Sequence, residues 1–306
     1  MPSDSAPFNF AELFPLRYQA HEMPPLAPYQ ARDGATLYVR HYKVDTQVQL
    51  ILLHGAAAHS AYLYELAHYL SDHQIANVYT PDLRGHGLNP ARRGDIDYID
   101  QLEHDLADLI GYLKTQVGED TYFIIGGHGS GGGLALRFAG SEQGQLIHQV
   151  LLLAPYLDYD APMTKKEAGG WLSSNSRKIT GLKLLNGLGI SAYNGAKVLN
   201  FNLPTTYCDG TETLAYSYRL MAGLHPANYK ESLLNTQAPL LVLVGTDDES
   251  LDASEFETGI LPFKSAVKIA YFNGLTHLGV VSSEPVMKEA AHWIKQHRET
   301  MQSKKS

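Results

Sequence analysis

One cysteine, Cys208, and two tryptophans are all that 306 residues hold of those types. A lone cysteine excludes an intramolecular disulfide and any cysteine-based zinc site, and it suits a reducing compartment. Long apolar runs are missing as well; none approaches the roughly 18 residues of a membrane span. Basic residues are scarce, 24 Lys and Arg against 32 Asp and Glu, for a formal net charge of −8. That balance argues against nucleic acid or an anionic membrane as the main partner. The stretch "MPSDSAPFNFAELFPLRYQAHEMPPLAPYQ" has neither a basic n-region nor a long apolar h-region, so it does not read as a signal peptide. The expectation is a cytoplasmic chain, compatible with a leader or anchor removed upstream. What is present is 44% hydrophobic content, enough for one large core or two modest ones.

The apolar residues are arranged as strands alternating with helices. "TLYVRHY" (36–42) alternates like a half-buried strand, and "VQLILLHG" reads as a fully buried one. The helical spacing of "AYLYELAHYLSD" and the strand "ANVYTPD" follow. "DYIDQLEHDLADLIGYLKTQVG" sets Ile99, Leu102, Leu106, Leu109, Ile110 and Leu113 on one helical face. Strand "TYFIIGG", helix "SGGGLALRFAG" and strand "HQVLLLAP" come next, and "PLLVLVGTDDES", "SAVKIAYFNGLTHLGVV" and "PVMKEAAHWIKQH" resume the alternation. Such alternation predicts right-handed crossovers and a mostly parallel, doubly wound sheet covered on both faces. Between them, 155–229 lacks buried-strand signals and is expected to be a helical cap. The expected division is an arm over 1–28, a core over 29–154 and 230–302, and the cap over 155–229.

The stretch "YFIIGGHGSGGGLALRFAG" (122–140) carries the central question. A strand running through glycines into a helix is the layout of a nucleophile elbow, G-x-S-x-G, which lifts one reactive side chain clear of the backbone. Strand and helix crowd there, so the residues two before and two after the apex must be small. Gly127 and Gly131 meet that demand for Gly129, whereas an apex at Ser130 would set His128 in a crowded place. Gly also tolerates a strained apex with φ > 0. The register therefore favours Gly129 as apex, with Ser130 as the alternative nucleophile one residue late. The same glycines spell G-x-G-x-x-G, the dinucleotide fingerprint, but the acid expected at the end of the following strand is absent; "VLLLAP" ends in Ala154-Pro155, and Asp158 lies beyond.

Other loops at strand ends offer partners. "LLHGAAAHS" (52–60) can aim the Ala56 N–H at a developing oxyanion, or be an ordinary turn. After "LLVLVG" stand Asp247, Asp248, Glu249 and Asp252, and after the last strand stands His277. A loop carboxylate and a loop imidazole at the ends of neighbouring parallel strands can meet, the acid fixing the tautomer. His292 and His297 fall in the closing helix, one at the surface and one partly packed. In "TPDLRGHG", Asp82 and Arg84 are expected to pair and His86 to be structural; Arg93-Gly94-Asp95 is read as a solvated loop.

Together "HGAAAHS", "PDLRGHG", "GHGSGGGLALRFA", "GTDDE" and "THLG" resemble the α/β-hydrolase family, in its monoacylglycerol-lipase or lysophospholipase-like branch, over about residues 29–300. The resemblance implies an elbow nucleophile, an acid at Asp248, a base at His277, and oxyanion N–H groups from Ala56 and Ser130. It implies carboxylic ester hydrolysis through an acyl-enzyme, with no cofactor, no metal and a small-molecule ester or lipid-like substrate. Tyr156, Tyr159, Trp171 and Leu172 suggest an apolar acyl site, or simple packing. The departure is Gly129, which stands where the family pattern has serine and implies an impaired enzyme. Either serine was replaced deliberately or the chain is a natural non-catalytic binding protein; the acid, histidine and oxyanion loop favour the former.

Overall fold

The computed structural model describes residues 7–13, 23–88, 90–118, 121–167 and 170–303, so parts of the N-terminal arm, residues 1–6 and 14–22, lie outside the described residues. In chain order the strands are β1 (Leu26–Gln30), β2 (Thr36–Tyr42), β3 (Val48–Leu53), β4 (Asn77–Asp82), β5 (Tyr122–His128), β6 (Gln149–Leu153), β7 (Leu172–Ser174), β8 (Lys197–Phe201), β9 (Ala215–Ser217), β10 (Leu240–Gly245) and β11 (Val267–Phe272). Eight form one sheet in the order β1-β2-β4-β3-β5-β6-β10-β11. From β4 to β11 the pairings are parallel, and β1 and β2 add an antiparallel edge. Every residue of β3, β4, β6 and β10 is buried, as sequence runs of Val, Leu and Ile demand when helices cover both faces.

The flanking helices are α1 (Tyr64–Asp72), α2 (Gln101–Val117), α3 (Ser130–Ala139), α4 (Ser176–Gly187), α5 (Tyr218–Gly223), α6 (Tyr229–Asn235), α7 (Phe256–Ile260), α8 (Gly279–Ser282) and α9 (Glu284–Ser303). In α2 the buried residues Leu102, Leu106, Leu109, Ile110 and Leu113 recur every three or four positions, which is the stripe that drives it onto the sheet. Ile99 precedes the helix and packs instead beside the cap.

Between β6 and β10 the chain builds the cap, which is not the purely helical insertion expected from sequence. It contains a three-stranded antiparallel sheet, β7-β8-β9, beside α4, α5 and α6. These strands are three to five residues long and mostly not buried, so they leave no apolar run to read. The cap has a small core of its own around Leu182, Val198 and Tyr218. The Arg93-Gly94-Asp95 loop is not merely solvated. Asp95 accepts from Nε and Nη2 of Arg219 at 2.8 and 2.6 Å, and the Gly94 carbonyl accepts from Ser217 N and Lys197 Nζ, so the loop straps cap to core.

A second correction concerns Arg84. It does not pair with Asp82; its guanidinium grips Asp105 of α2 at 2.7 and 2.8 Å and reaches Asp33. Asp82 instead accepts the Ser60 N–H at 2.9 Å. An acid on the apolar face of α2, between Leu102 and Leu106, was the sequence signal for a buried cation, since a carboxylate is rarely fully buried unless paired.

Candidate active site

The elbow forms where β5 hands the chain to α3. Gly129 turns it with φ 54° and ψ −120°, a region that is costly for any residue with a side chain. Backbone bonds hold this shape: Gly129 N–H donates to the Leu153 carbonyl at 3.1 Å, and its own carbonyl accepts from Tyr156 N at 2.9 Å and Gly133 N at 3.2 Å. Gly127 and Gly131 are dictated by crowding. A Cβ on Gly127 would sit 2.3 Å from the Gly131 backbone, and one on Gly131 would sit 2.4 Å from the His54 carbonyl. Gly129 is different, because outside its chain neighbours a Cβ there meets nothing closer than His277 Nε2, at 3.3 Å.

His277 arrives on the loop after β11, and Asp248 on the loop after the adjacent parallel strand β10. Asp248 Oδ2 lies 2.8 Å from His277 Nδ1, while Oδ1 accepts from the Ser250 and Leu251 N–H groups, each at 2.8 Å. Burial alone would raise the Asp248 carboxyl, but the His277 charge and hydrogen bond and these N–H donors outweigh it and hold it below its ordinary value. Burial pulls His277 down, and Asp248 more than offsets that, leaving the imidazole above its ordinary value. A carboxylate can only accept, so Nδ1 carries the proton and the Nε2 lone pair faces Gly129. Asp247 is exposed and turned to the Thr246 hydroxyl.

Glu249, the longer-reaching neighbour, does something else. Its buried carboxylate accepts the His277 N–H at 2.9 Å and the Asn9 N–H at 2.8 Å, joining the histidine loop to the N-terminal arm. The arm's Glu12 accepts from the Thr276 hydroxyl. Phe8 thereby lies over the site, its ring 5.6 Å from that of His277 and 4.9 Å from that of Trp171. No local pattern in the sequence signals this contact, which joins residues more than 260 positions apart.

Opposite the elbow, the loop after β3 carries Ala56, whose N–H donates to no acceptor among the described residues. Ser130 opens α3, where an N–H has no intrahelical partner. His128 locks these pieces together. Its Nε2–H donates to the His277 carbonyl at 2.9 Å, and its Nδ1 accepts from the Tyr62 hydroxyl, which accepts the Gly55 N–H at 3.1 Å. Burial and the His277 charge push His128 down to about 3, so this chain of bonds is neutral and fixed. His86 is remote from it, bonding Tyr216, whose hydroxyl also takes the Ala57 N–H at 2.8 Å. His292 is exposed and His297 partly buried against Trp293.

Ala56, Gly129, Ser130 and His277 face one cavity of about 1180 Å³, walled further by Phe8, Phe10, Tyr156, Trp171, Leu172 and Tyr207. Tyr159, a suggested cap contact, lies on its rim and is half exposed. Among the described residues, no group of three His, Cys, Asp or Glu side chains could hold a metal, and no helix is long and apolar enough to cross a membrane.

A turn after a central parallel strand, an acid after the next strand but one, and a histidine after the last appear in the chain order of the α/β hydrolases, and this protein is one. The sequence model of the family described as serine aminopeptidase, S33, matches residues 45–281, and the chain belongs to that family. No curated protein matches it in sequence. Solved structures share the fold at low identity. A soluble variant of monoglyceride lipase from Saccharomyces cerevisiae, in complex with a substrate analog, superposes with TM-score 0.68 at 17% identity, covering 90% of this chain and 96% of that one. Monoacylglycerol lipase from Paleococcus ferrophilus gives TM-score 0.63 at 20% identity, over 85% of this chain and 99% of that one. A thermophilic esterase from Thermogutta terrifontis gives 0.61 at 17% identity, over 89% and 99%.

Proposed function

We propose that the chain has the site of a serine-type carboxylic ester hydrolase, taking an ester or lipid-like substrate with an apolar acyl group, and that Gly129 stands in the nucleophile's place. One observation carries this reading: a Cβ at Gly129 would lie 3.3 Å from the Nε2 of a histidine whose Nδ1 is bonded to a buried aspartate. A serine hydroxyl at that Cβ would be within reach of the imidazole lone pair. Its Oγ would attack the carbonyl carbon while His277 takes its proton, Asp248 steadies the imidazolium, and the Ala56 and Ser130 N–H groups receive the oxyanion. His277 would return the proton to the leaving alkoxide, and water would release the acyl group by the same route. The aromatic wall of Phe8, Phe10 and Trp171 suits the apolar part of the substrate, and no cofactor has a role. With glycine at 129 this acyl-transfer route has no nucleophile.

The expected result is that Gly129→Ser confers esterase activity on a short-chain aryl ester, with a burst of product and a fluorophosphonate adduct on the peptide holding position 129. Activity should resist chelators and need no nicotinamide. An adduct on Ser130 instead would move the apex by one residue and defeat the assignment. A second reading, a binding protein without turnover, draws on the same glycine and large cavity. It would be favoured if Gly129→Ser stays inert while a long-chain fatty acid binds the parent.

A further inference from the structure

We propose that the chain as it stands hydrolyses reactive esters directly, with a water molecule seated between Gly129 and His277 Nε2 as the nucleophile and no acyl-enzyme. The inference rests on the ester-hydrolase reading of the site but concerns a reaction the serine form would not use.

Three features support it. The elbow does not depend on a side chain at its apex, because backbone bonds from Leu153, Gly133 and Tyr156 set its shape. His277, Asp248 and the oxyanion donors are therefore in register without a hydroxyl. Second, around the missing side chain there is room of the right size: after His277 Nε2, the nearest atoms to a Cβ outside the adjoining residues His128 and Ser130 are Gly55 Cα and His277 Cε1, each at 3.9 Å. The CH2OH group that serine would place there occupies about the 30 Å³ that one water takes up. Third, the surroundings are polar enough to hold water. Nε2 presents a lone pair, and the Ala56 N–H, which donates to no acceptor among the described residues, borders the same cavity. Within Gly127–Gly131, Gly129 is thus where a small guest, rather than packed backbone, meets the base.

The step balances without any further reagent. As the water oxygen bonds to the ester carbonyl carbon, one water proton passes to Nε2 and the carbonyl electron pair becomes an oxyanion facing the Ala56 and Ser130 N–H groups. Collapse of the tetrahedral intermediate breaks the bond to the leaving oxygen, which takes the proton back from the His277 imidazolium. Acid and alcohol leave, and the imidazole is restored. A single water attack of this kind suits esters with good leaving groups, aryl or enol esters above all.

The test compares the parent chain with Gly129→Ala, His277→Gln and Gly129→Ser on 4-nitrophenyl butyrate, with intact-mass measurement during turnover. The parent should exceed His277→Gln by at least about tenfold, since a positioned general base is worth roughly 10²–10⁴. It should show no burst and no acyl adduct. Gly129→Ala should fall to the His277→Gln level, because its methyl carbon takes the water's place 3.3 Å from Nε2. Should Gly129→Ala misfold, as melting would reveal, the His277→Gln comparison still decides. A parent no faster than His277→Gln beside an active Gly129→Ser overturns this inference and leaves the ester-hydrolase reading standing. An acyl adduct on the parent at Ser130 or any other residue also overturns it. His277-dependent turnover in the parent with an inert Gly129→Ser supports it and defeats the serine assignment instead.

Discussion

The floor and the roof of the cavity are built in opposite ways. On the floor, β5, the elbow and α3 are so close that added methyl groups at Gly127 and Gly131 would run into backbone, and a continuous chain of bonds links Gly55, Tyr62, His128 and His277. On the roof, α4 buries only Leu182, while Leu184 and Leu188 are 68% and 69% exposed. The cap is tied down by a few struts, such as Asp95 to Arg219, and by aromatic contacts from Phe8 and Phe10. Dense packing with buried hydrogen bonds resists local opening, and sparse packing permits it. In the proposed reaction the rigid floor would hold the reacting atoms in place, and the looser roof would admit and shape the substrate.

The floor is disrupted most severely by removing a charge from it. In the Gly129→Ser background, Asp248→Asn should lower kcat by about 10⁴, the penalty of a wrong imidazole tautomer in the serine-protease template. His277→Ala should cost a similar amount, and the double variant little more, because such residues act as a unit. Asp247→Asn should retain most activity, since Asp247 is exposed and faces Thr246. The pH profile supplies a second readout. The proposed route needs neutral His277, whose pKa Asp248 raises, so kcat/KM should climb with pH through a limb above the ordinary imidazole value of about 6.5. Removing the carboxylate leaves burial to dominate, and the limb should move to lower pH. A large loss in Asp247→Asn with a mild one in Asp248→Asn would place the acid one residue earlier.

How much of this was readable follows the same division. The floor announces itself locally: short, β-branched apolar runs such as "VQLILL", ended by a glycine turn, read as central strands, and glycines two before and two after Gly129 betray crowding. Asp248 and His277 each end a recognisable strand. The roof and the arm do not announce themselves. β7 to β9 are too short for a period, and Phe8 reaches His277 across the whole chain without a local trace. Glu249 was visible only as one acid among four; its part in holding the His277 N–H depends on a tertiary contact. The expected Asp82–Arg84 pair failed for a similar reason, as proximity in sequence lost to Asp105 on a helix that packs alongside.

A smaller effect separates crowded from open glycines. Gly131→Ala should destabilise the fold by about 3 kcal/mol, at the upper end of core overpacking, because its methyl carbon would lie 2.4–2.5 Å from the carbonyl oxygens of Leu53 and His54. Gly111→Ala should do the reverse. That residue sits on the exposed face of α2 with nothing within 4 Å, so the exchange should stabilise by about 0.5–1 kcal/mol through helix propensity. Denaturant midpoints at unchanged slope measure both. If the two variants shift in the same direction, the floor is less tightly packed than its geometry requires.

The smallest effect is expected at the roof. Phe8 contacts Phe10, Trp171 and His277 at ring separations of 4.8, 4.9 and 5.6 Å, and aromatic pairs of this kind are worth about 0.5–1.5 kcal/mol each beyond their buried area. Only part of that can appear as lost stability, since Phe8 is partly buried and the segment carrying it is held elsewhere by Asn9 and Glu12. Phe8→Ala should therefore destabilise the fold by about 1 kcal/mol or less. Its clearer mark should fall on binding: with the aromatic wall opened beside His277, KM in the Gly129→Ser background should rise several-fold for short acyl esters and less for long ones, which reach other parts of the wall, while kcat changes little. Trp171 provides an independent signal, because the other tryptophan, Trp293, is only 1% exposed and far from the arm in sequence. Loss of the Phe8 contact should change Trp171 emission and its quenching by acrylamide. Leu184→Ser, at a position 68% exposed on α4, sets the baseline and should stay within about 0.5 kcal/mol. A Phe8→Ala variant that loses kcat as heavily as Asp248→Asn, with KM unmoved, would show that the arm belongs to the rigid floor, and the division between the two halves would have to be redrawn.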